Sequence, residues 1–332
     1  MNAATPIALT QGDPSGIGPE LTLMAYAERR SRGLPPFFLL SDAALIARVA
    51  AAFALKIEIE STTAEHACEI FPRALPVVDI GCEVKSLPGS PDPADAQSTI
   101  RSIELAVECV ARGKARAVVT NPIAKSILYK AGFKHPGHTE FLAELAHRHY
   151  GGDYRAVMML WSQQLAVVPL TIHIPLSDVA KSLTRELIVE TGEIVARDLT
   201  RRLHIARPRL AFAALNPHAG EDGALGREEI ETIAPAIVEL RARGVDASGP
   251  FPADTMFHKA ARLKYDVALC PTHDQALIPI KTLAFESGVN VTLGLPFLRT
   301  SPDHGTAFDI AGKGIADPTS LIEAIKLAGR MT

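Results

Sequence analysis

The strongest constraint on the fold of this chain is the alternation of short, unbroken apolar segments with longer helical patterns. Ten short segments predict strands, at residues 6–11, 37–41, 56–60, 77–80, 116–121, 156–160, 165–173, 209–215, 266–270 and 290–293. One of the predicted helices spans residues 227–244. Strands that are apolar on both faces are typical of parallel sheets covered by helices on each side. We therefore predict an α/β fold. No linker interrupts the 332 residues, so two domains on one interwoven sheet and two separate domains both fit.

Composition excludes several classes of protein. The chain is 47% apolar and 21% charged, which is typical of a globular protein and not of a disordered one. Its net charge is -3 and the charges are interspersed, so we expect no nucleic-acid partner. No apolar stretch is long enough to predict a membrane span. Four cysteines without a C-x-x-C pair, and no signal-peptide pattern, predict a reducing cytoplasm.

Three histidines share one local setting. His173, His218 and His273 each lie at or just beyond the carboxyl end of an apolar segment. In a parallel sheet those ends open on one edge, where ligands bind. Three imidazoles there could share one metal ion and leave positions open for a substrate. The alternative is three separate histidines that are hydrogen-bonded at the starts of loops.

Other polar residues accompany these histidines. Asp254 and Asp274 could act as a general base or as outer partners of a metal ligand, although Asp254 also suits the start of a helix. The cations Lys281 and Arg299, with the amide Asn290, suit a phosphate or a carboxylate. His138 and Thr139 add donors at a predicted helix start. Taken singly, each of these also fits an ordinary surface position.

Two glycine-rich segments stand out. GDPSGIG (12–18) joins a predicted strand to a helix, but it is neither G-x-G-x-x-G nor a Walker A loop. By itself it favours a tight structural turn over an anion site. SPDHGTAFDIAGKG (301–314) could wrap an adenosine or a phosphate, or be a long surface loop.

Taken together, eight segments resemble one family, in the family's order and over essentially the whole chain. The family is that of 4-hydroxythreonine-4-phosphate dehydrogenase, in pyridoxine biosynthesis. The segments are TQGDPSGIGPE, VVTNPIAK, GHTEFLAEL, TIHIPLSDV, LNPHAGEDGALGREE, GPFPADTMF, HDQALIPIK and GVNVTLGLPFLRTSPDHGTAFDIAGKG. The last one also resembles the adenosine-binding stretch of isopropylmalate and isocitrate dehydrogenases, which bind NAD without G-x-G-x-x-G.

The resemblance implies an isocitrate/isopropylmalate dehydrogenase-like fold of two α/β/α domains with a mostly parallel sheet. It implies an NAD-binding domain, residues 1–130 plus 285–332, and a metal-binding and dimerisation domain, residues 131–284. The family is homodimeric, with its active site near the subunit interface, so the ligands need not all come from one chain.

Roles follow from the resemblance position by position. It implies one divalent metal (Zn, Mg or Co) on His173, His218 and His273. Substrate-binding positions are His138, Thr139, Lys281, Asn290 and Arg299. NAD or NADP would lie on Asp303, His304, Gly305, Asp309, Gly312 and Gly314. The implied catalytic residues are Asp254, Asp274 and Lys281, with either aspartate as the base and Lys281 as a candidate proton donor.

The implied reaction is the NAD-dependent oxidative decarboxylation of 4-phosphohydroxy-L-threonine to 3-amino-2-oxopropyl phosphate, on the path to pyridoxal 5'-phosphate. A metal that polarises the substrate hydroxyl suits that chemistry. One alternative is a sister enzyme that oxidises threonate or erythronate 4-phosphate. Another is a metal-dependent phosphohydrolase without a redox cofactor, against which the segment 301–314 argues.

Overall fold

The computed structural model describes residues 5–135 and 137–332 and divides them into two compact units. The first contains the chain up to Ala156 together with Leu295–Thr332, and the second is Val157–Gly294. The predicted boundaries, after residues 130 and 284, both lie earlier in the chain. No helix in the described part of the chain is both long enough and apolar enough to cross a membrane.

The strands are short, and most of them are buried, whereas β3 and β9 are largely not. In chain order they are β1 (Ile7–Thr10), β2 (Phe37–Ser41), β3 (Ile59–Ser61), β4 (Leu75–Asp79), β5 (Val118–Thr120), β6 (Val157–Trp161), β7 (Ala166–Pro169), β8 (Arg209–Ala213), β9 (Asp246–Phe251), β10 (Val267–Cys270), β11 (Val289–Leu293) and β12 (Arg299–Pro302).

The helices alternate with these strands. They are α1 (Gly18–Ala27), α2 (Ala43–Ala52), α3 (Ala67–Ile70), α4 (Ala96–Ala111), α5 (Lys125–Lys130), α6 (His138–Tyr150), α7 (Val179–Ser182), α8 (Arg185–Leu203), α9 (Ala234–Ala242), α10 (Lys259–Arg262), α11 (His273–Ala284) and α12 (Thr319–Arg330).

The strands of the first unit are ordered β3-β4-β2-β1-β5-β12, and the pairings described among them are parallel. One face carries Ala8, Phe38 and Val118 and packs with residues of α4 and α6. On the other face the ring of Tyr26, in α1, contacts the ring of Phe37 edge-on. Because successive strand residues point to opposite faces, helices cover both sides of the sheet. The predicted α/β class with a mostly parallel sheet is confirmed.

The strands of the second unit are ordered β11-β6-β7-β10-β8-β9. β6 runs antiparallel to β11 and β7, whereas β7, β10, β8 and β9 are mutually parallel. α11 packs on β7 and β10, and α8 and α9 pack on each other. The carboxyl ends of three adjacent parallel strands, β7, β10 and β8, therefore open on one edge, and the three histidines follow these strands.

Several elements differ from the sequence prediction. The strand predicted over 165–173 ends at Pro169, and the chain turns at His173, whose φ is +36°. The helix predicted over 227–244 contains a π-helical turn, Glu229–Ile233, before α9. β9, β12 and α11 have no counterpart among the predicted strands and helices.

Candidate active site

His173 and His273 form a close pair of imidazoles. They follow the adjacent strands β7 and β10, and their ring centroids lie 5.7 Å apart. His273 is the first residue of α11, and its Nδ1 lies 2.8 Å from Oδ1 of Asp274. A carboxylate that holds one ring nitrogen fixes the orientation of the imidazole and leaves the other nitrogen available as a ligand.

His218 does not join this pair within one chain. Among residues 5–135 and 137–332, no group of three or more His, Cys, Asp or Glu side chains is arranged to hold a metal ion. The three imidazoles therefore do not form a metal site within one described chain, and a site shared between two chains stays a prediction. His218 begins a run of positive φ angles in the loop after β8. A position beyond a strand end thus does not fix where the imidazole lies.

A pocket of about 270 Å³ surrounds the imidazole pair. Thr171 and Thr272 line it together with the exposed apolar side chains of Ile174 and Leu176. Two imidazoles with a carboxylate partner fit the ligand chemistry of zinc or cobalt. A larger pocket of about 540 Å³, beside Trp161 and Arg262, contains none of the predicted site residues.

In the first unit, Arg299 is buried at the start of β12. Its Nε and Nη2 donate hydrogen bonds of 3.0 and 2.7 Å to the hydroxyl of Thr120, at the end of β5. Burial lowers the pKa of the guanidinium to about 10, so it remains charged at neutral pH. A buried cation held in a fixed orientation is suited to bind a phosphate or a carboxylate.

His138 is the first residue of α6, and the positive charge of Arg299 acts on its imidazole. Burial, together with the charges of Arg299 and Lys125, holds the pKa of its imidazole well below the ordinary value of 6.5. The ring is therefore neutral at pH 7. Its Nε2 is buried and has no hydrogen-bond partner within the described residues. A polar group of a ligand would satisfy this atom. Thr139 follows as the second residue of the helix.

The remaining predicted residues lie in the second unit. Lys281 lies on α11, with its Nζ 5.8 Å from the centroid of the Phe285 ring. Asn290 lies on β11, opposite Leu160 of β6. Asp254 is exposed in the first turn of a short 3-10 helix, Ala253–Thr255.

The two glycine-rich segments pack against each other. The N–H of Ile17 donates to the carbonyl of Thr306 at 3.0 Å, and the N–H of Gly312 donates to Oε2 of Glu20 at 2.8 Å. Burial raises the pKa of Glu20. GDPSGIG is thus a packed turn that supports the late loop.

The late loop itself offers features that fit a nucleotide. His304 places its Nδ1 3.0 Å from the carbonyl of Gly305, and its Nε2 is buried without a partner in the described chain. Gly305, Asp309, Gly312 and Gly314 are exposed along the loop, and Asp303 is half-buried. An exposed backbone with an unsatisfied imidazole nitrogen suits a polar ligand.

Sequence analysis missed Thr120, Asn121, Lys125 and Glu20. Thr120 and Asn121 end a parallel strand, so the rule that singled out the three histidines applies to them equally. Asn121 is completely buried, and its Nδ2 donates to the carbonyl of Thr10 at 2.9 Å. Glu20 carries no comparable signal, because only the fold brings it to Gly312.

Comparison with known protein families shows the family to which this chain belongs. The family model described as "Pyridoxal phosphate biosynthetic protein PdxA" matches residues 34–328. This chain belongs to the PdxA family. Membership makes it an enzyme, a dehydrogenase of that family.

Several known proteins resemble it over almost their whole length. It is 59% identical to 4-hydroxythreonine-4-phosphate dehydrogenase of Bradyrhizobium diazoefficiens, over 99% of this chain and 98% of that protein. Its sequence is 36% identical to that of 4-hydroxythreonine-4-phosphate dehydrogenase from Klebsiella pneumoniae. The crystal structure of that protein matches this one with a TM-score of 0.88, with 99% of each chain covered. A terephthalate 1,2-cis-dihydrodiol dehydrogenase from Burkholderia xenovorans is more distant, with 28% identity, a TM-score of 0.66, and 98% and 97% of the two chains covered.

Proposed function

We propose that this PdxA protein oxidises and decarboxylates 4-phosphohydroxy-L-threonine, with NAD as acceptor and a divalent metal. The product is 3-amino-2-oxopropyl phosphate, a precursor of pyridoxal 5'-phosphate. The substrate named by its relatives from Bradyrhizobium and Klebsiella supports this choice.

The observation that carries the proposal is the pair His173 and His273, with Asp274 on Nδ1 of His273. We assign the two imidazoles, together with His218, as the metal ligands. A bound metal would lower the pKa of the substrate hydroxyl and stabilise negative charge on that oxygen during both oxidation and loss of CO2. Because Asp274 is engaged with His273, we assign it to orient that ligand.

The substrate's anionic groups are assigned to Arg299 and His138, with Thr139, Lys281 and Asn290 as further binding residues. Arg299 provides a buried charge, whereas His138 provides a neutral imidazole whose Nε2 has no hydrogen-bond partner among the described residues. A neutral ring beside a guanidinium can donate a hydrogen bond without adding a second buried charge.

Proton and hydride leave the substrate along separate routes. Asp254 is the remaining candidate base for the hydroxyl proton, and NAD on residues 303–314 would accept the hydride from the same carbon. The β-keto acid then loses CO2. Its electron pair remains on the adjacent carbon, and Lys281 is the candidate that returns a proton there.

We further propose that the site is completed by a second copy of this chain. Asp274, Ile278 and Lys281 on α11, with Phe285 directly after its end, follow the spacing of one helical face. Ile278 is 63% exposed and Phe285 is 76% exposed. Large apolar side chains left exposed beside candidate site residues favour a subunit interface. His218 of the second copy would then join the imidazole pair.

A second candidate is the oxidation of a phosphorylated sugar acid such as threonate or erythronate 4-phosphate. The similarity to the Burkholderia dihydrodiol dehydrogenase supports this second candidate, because that protein's name describes a diol substrate without an amino group.

NADH formation with purified protein and added divalent metal separates these candidates. The proposal predicts the highest kcat/KM with 4-phosphohydroxy-L-threonine when D-threonate and D-erythronate 4-phosphate are measured in parallel. Higher kcat/KM with a sugar acid would assign the protein to the sister activity. Release of inorganic phosphate without NADH would contradict both candidates.

A further inference from the structure

The loop that carries His218 adopts an unusual backbone conformation. Residues 218–222 have φ angles of +53°, +57°, +80°, +42° and +53° in succession, and Gly220 is the only glycine among them. The left-handed region is unfavourable for residues with a side chain. A run of this kind persists only where the surrounding structure holds it.

The group that holds the start of this loop is Glu229. It is 3% exposed and begins the π-helical turn Glu229–Ile233. Its Oε1 accepts hydrogen bonds of 2.8 Å from the backbone N–H groups of both Leu215 and Asn216. Its Oε2 accepts a bond of 3.0 Å from Nδ2 of Asn216. Both carboxylate oxygens therefore bind the chain where it leaves β8, two residues before His218.

The middle of the loop packs on the same carboxylate. A Cβ on Gly220 would lie 2.7 Å from Oε2 of Glu229 and 3.0 Å from the carbonyl oxygen of Gly226. Asn216 is also fixed from a second side, because its Nδ2 donates to Oε2 of Glu228 at 2.7 Å. The loop is thus built around the Glu229 side chain.

We propose that Glu229 is a positioning residue that holds the His218 loop in its left-handed conformation and thereby presents His218 to the metal. This rests on the proposed function, in which His218 is a ligand. Glu229 acts through the backbone of Leu215 and Asn216. Replacing it by glutamine turns an acceptor into a donor that faces Nδ2 of Asn216, so Glu229→Gln disturbs the loop with almost no change in volume.

Two measurements on the metal-free, full-length protein test this: Co²⁺ affinity by visible absorption, and hydrogen exchange of residues 215–226. We expect Glu229→Gln to weaken Co²⁺ binding by about 10-fold or more and to speed exchange in the loop. Gly220→Ala should act in the same direction. Because neither measurement depends on catalysis, both report on the loop rather than on turnover.

Asp266→Asn is the matched control. Both carboxylate oxygens of Asp266 accept hydrogen bonds from Arg209, at the opposite end of β8, so Asp266→Asn makes the same change of an acceptor into a donor away from the loop. The control should keep wild-type Co²⁺ affinity and loop exchange. Wild-type Co²⁺ affinity in Glu229→Gln would overturn the inference. If the wild-type protein binds no Co²⁺, the proposed metal site fails, and unchanged exchange in Glu229→Gln would then overturn the role of Glu229 in the loop as well.

Discussion

Arg299 and Thr120 form a fixed unit in the first domain, because two nitrogens of the guanidinium donate to one hydroxyl oxygen. Arg299 begins β12 and Thr120 ends β5, and these two strands pair in parallel. The hydroxyl fixes the orientation of the guanidinium, and a guanidinium held in this way is suited to bind an anion. In the proposed reaction this anion is the substrate's phosphate or carboxylate.

The Arg299–Thr120 unit gives the first prediction. Thr120→Val removes the hydroxyl and leaves a buried charge less well satisfied, so we expect kcat/KM to fall by about 10- to 100-fold. Thr120→Ser keeps the hydroxyl and should stay near wild type. Steady-state NADH formation measures both variants, with circular dichroism to confirm folding. Equal activity of the valine and serine variants would refute the role of this hydroxyl.

The second prediction concerns His138 and the pH dependence of stability. Its folded-state pKa lies below the ordinary 6.5, so the unfolded chain binds the proton more readily. The free energy of unfolding should therefore fall as pH drops below about 6.5, with a slope of up to about 1.4 kcal/mol per pH unit from this group. His138→Gln should remove that part of the slope. Urea unfolding at a series of pH values between about 7.5 and 5.5 measures it.

His149 provides the control for this experiment. It lies on the same helix, α6, and is exposed. His149→Gln should leave the slope as in the wild-type protein. If His138→Gln and the wild-type protein lose stability in parallel, His138 is not the group responsible.

Alanine substitutions at Gly12 and Gly33 test whether close packing of the GDPSGIG turn (12–18) contributes to stability. Both have left-handed backbones, with φ of +75° and +63°, but only at Gly12 would a Cβ meet neighbours, 2.6 Å from the carbonyl oxygen of Pro122. Gly33→Ala should cost about 1–2 kcal/mol from the backbone alone. Gly12→Ala should cost about 1–3 kcal/mol more from the clash. Equal losses in urea unfolding would show that the close approach does not matter.

The proposed dimer predicts a specific effect on α11. Ile278→Asp should convert a dimer to a monomer and abolish activity, since the metal site would lose its second chain. Val238, 62% exposed on α9, is the control, and Val238→Asp should leave the assembly intact. Sedimentation velocity gives the assembly state. A wild-type monomer with full activity would contradict the two-chain site.

Much of the architecture was predictable because it depends on local patterns. β1, β2 and β10 are short apolar segments, and segments of this kind are typically buried as strands of a sheet that helices cover on both faces. α11 was missed because Pro279 lies inside it and a proline ordinarily interrupts a helix. β12, with the sequence RTSP, lacks the apolar character of a strand; its position beside β5 decides its conformation.

Only those parts of the candidate site that follow the carboxyl ends of parallel strands were predictable from the sequence. The rule that parallel strands end on one edge led to the pairing of His173 with His273. It does not bring His218 to this pair within one described chain, where His218 lies in a left-handed loop whose start is bonded to Glu229, a residue that follows it in the sequence. The hydrogen bond between Arg299 and Thr120 joins residues far apart in the chain. The sequence around either residue does not reveal that the other is its partner.

The central claim, a metal-dependent NAD dehydrogenase, is tested most directly by NADH formation on protein stripped of metal. The substrate is 4-phosphohydroxy-L-threonine, measured before and after adding Zn²⁺, Co²⁺ or Mg²⁺. We predict no detectable turnover in the stripped protein and recovery with at least one of these ions. Full turnover without metal, or none after its return, would contradict the account.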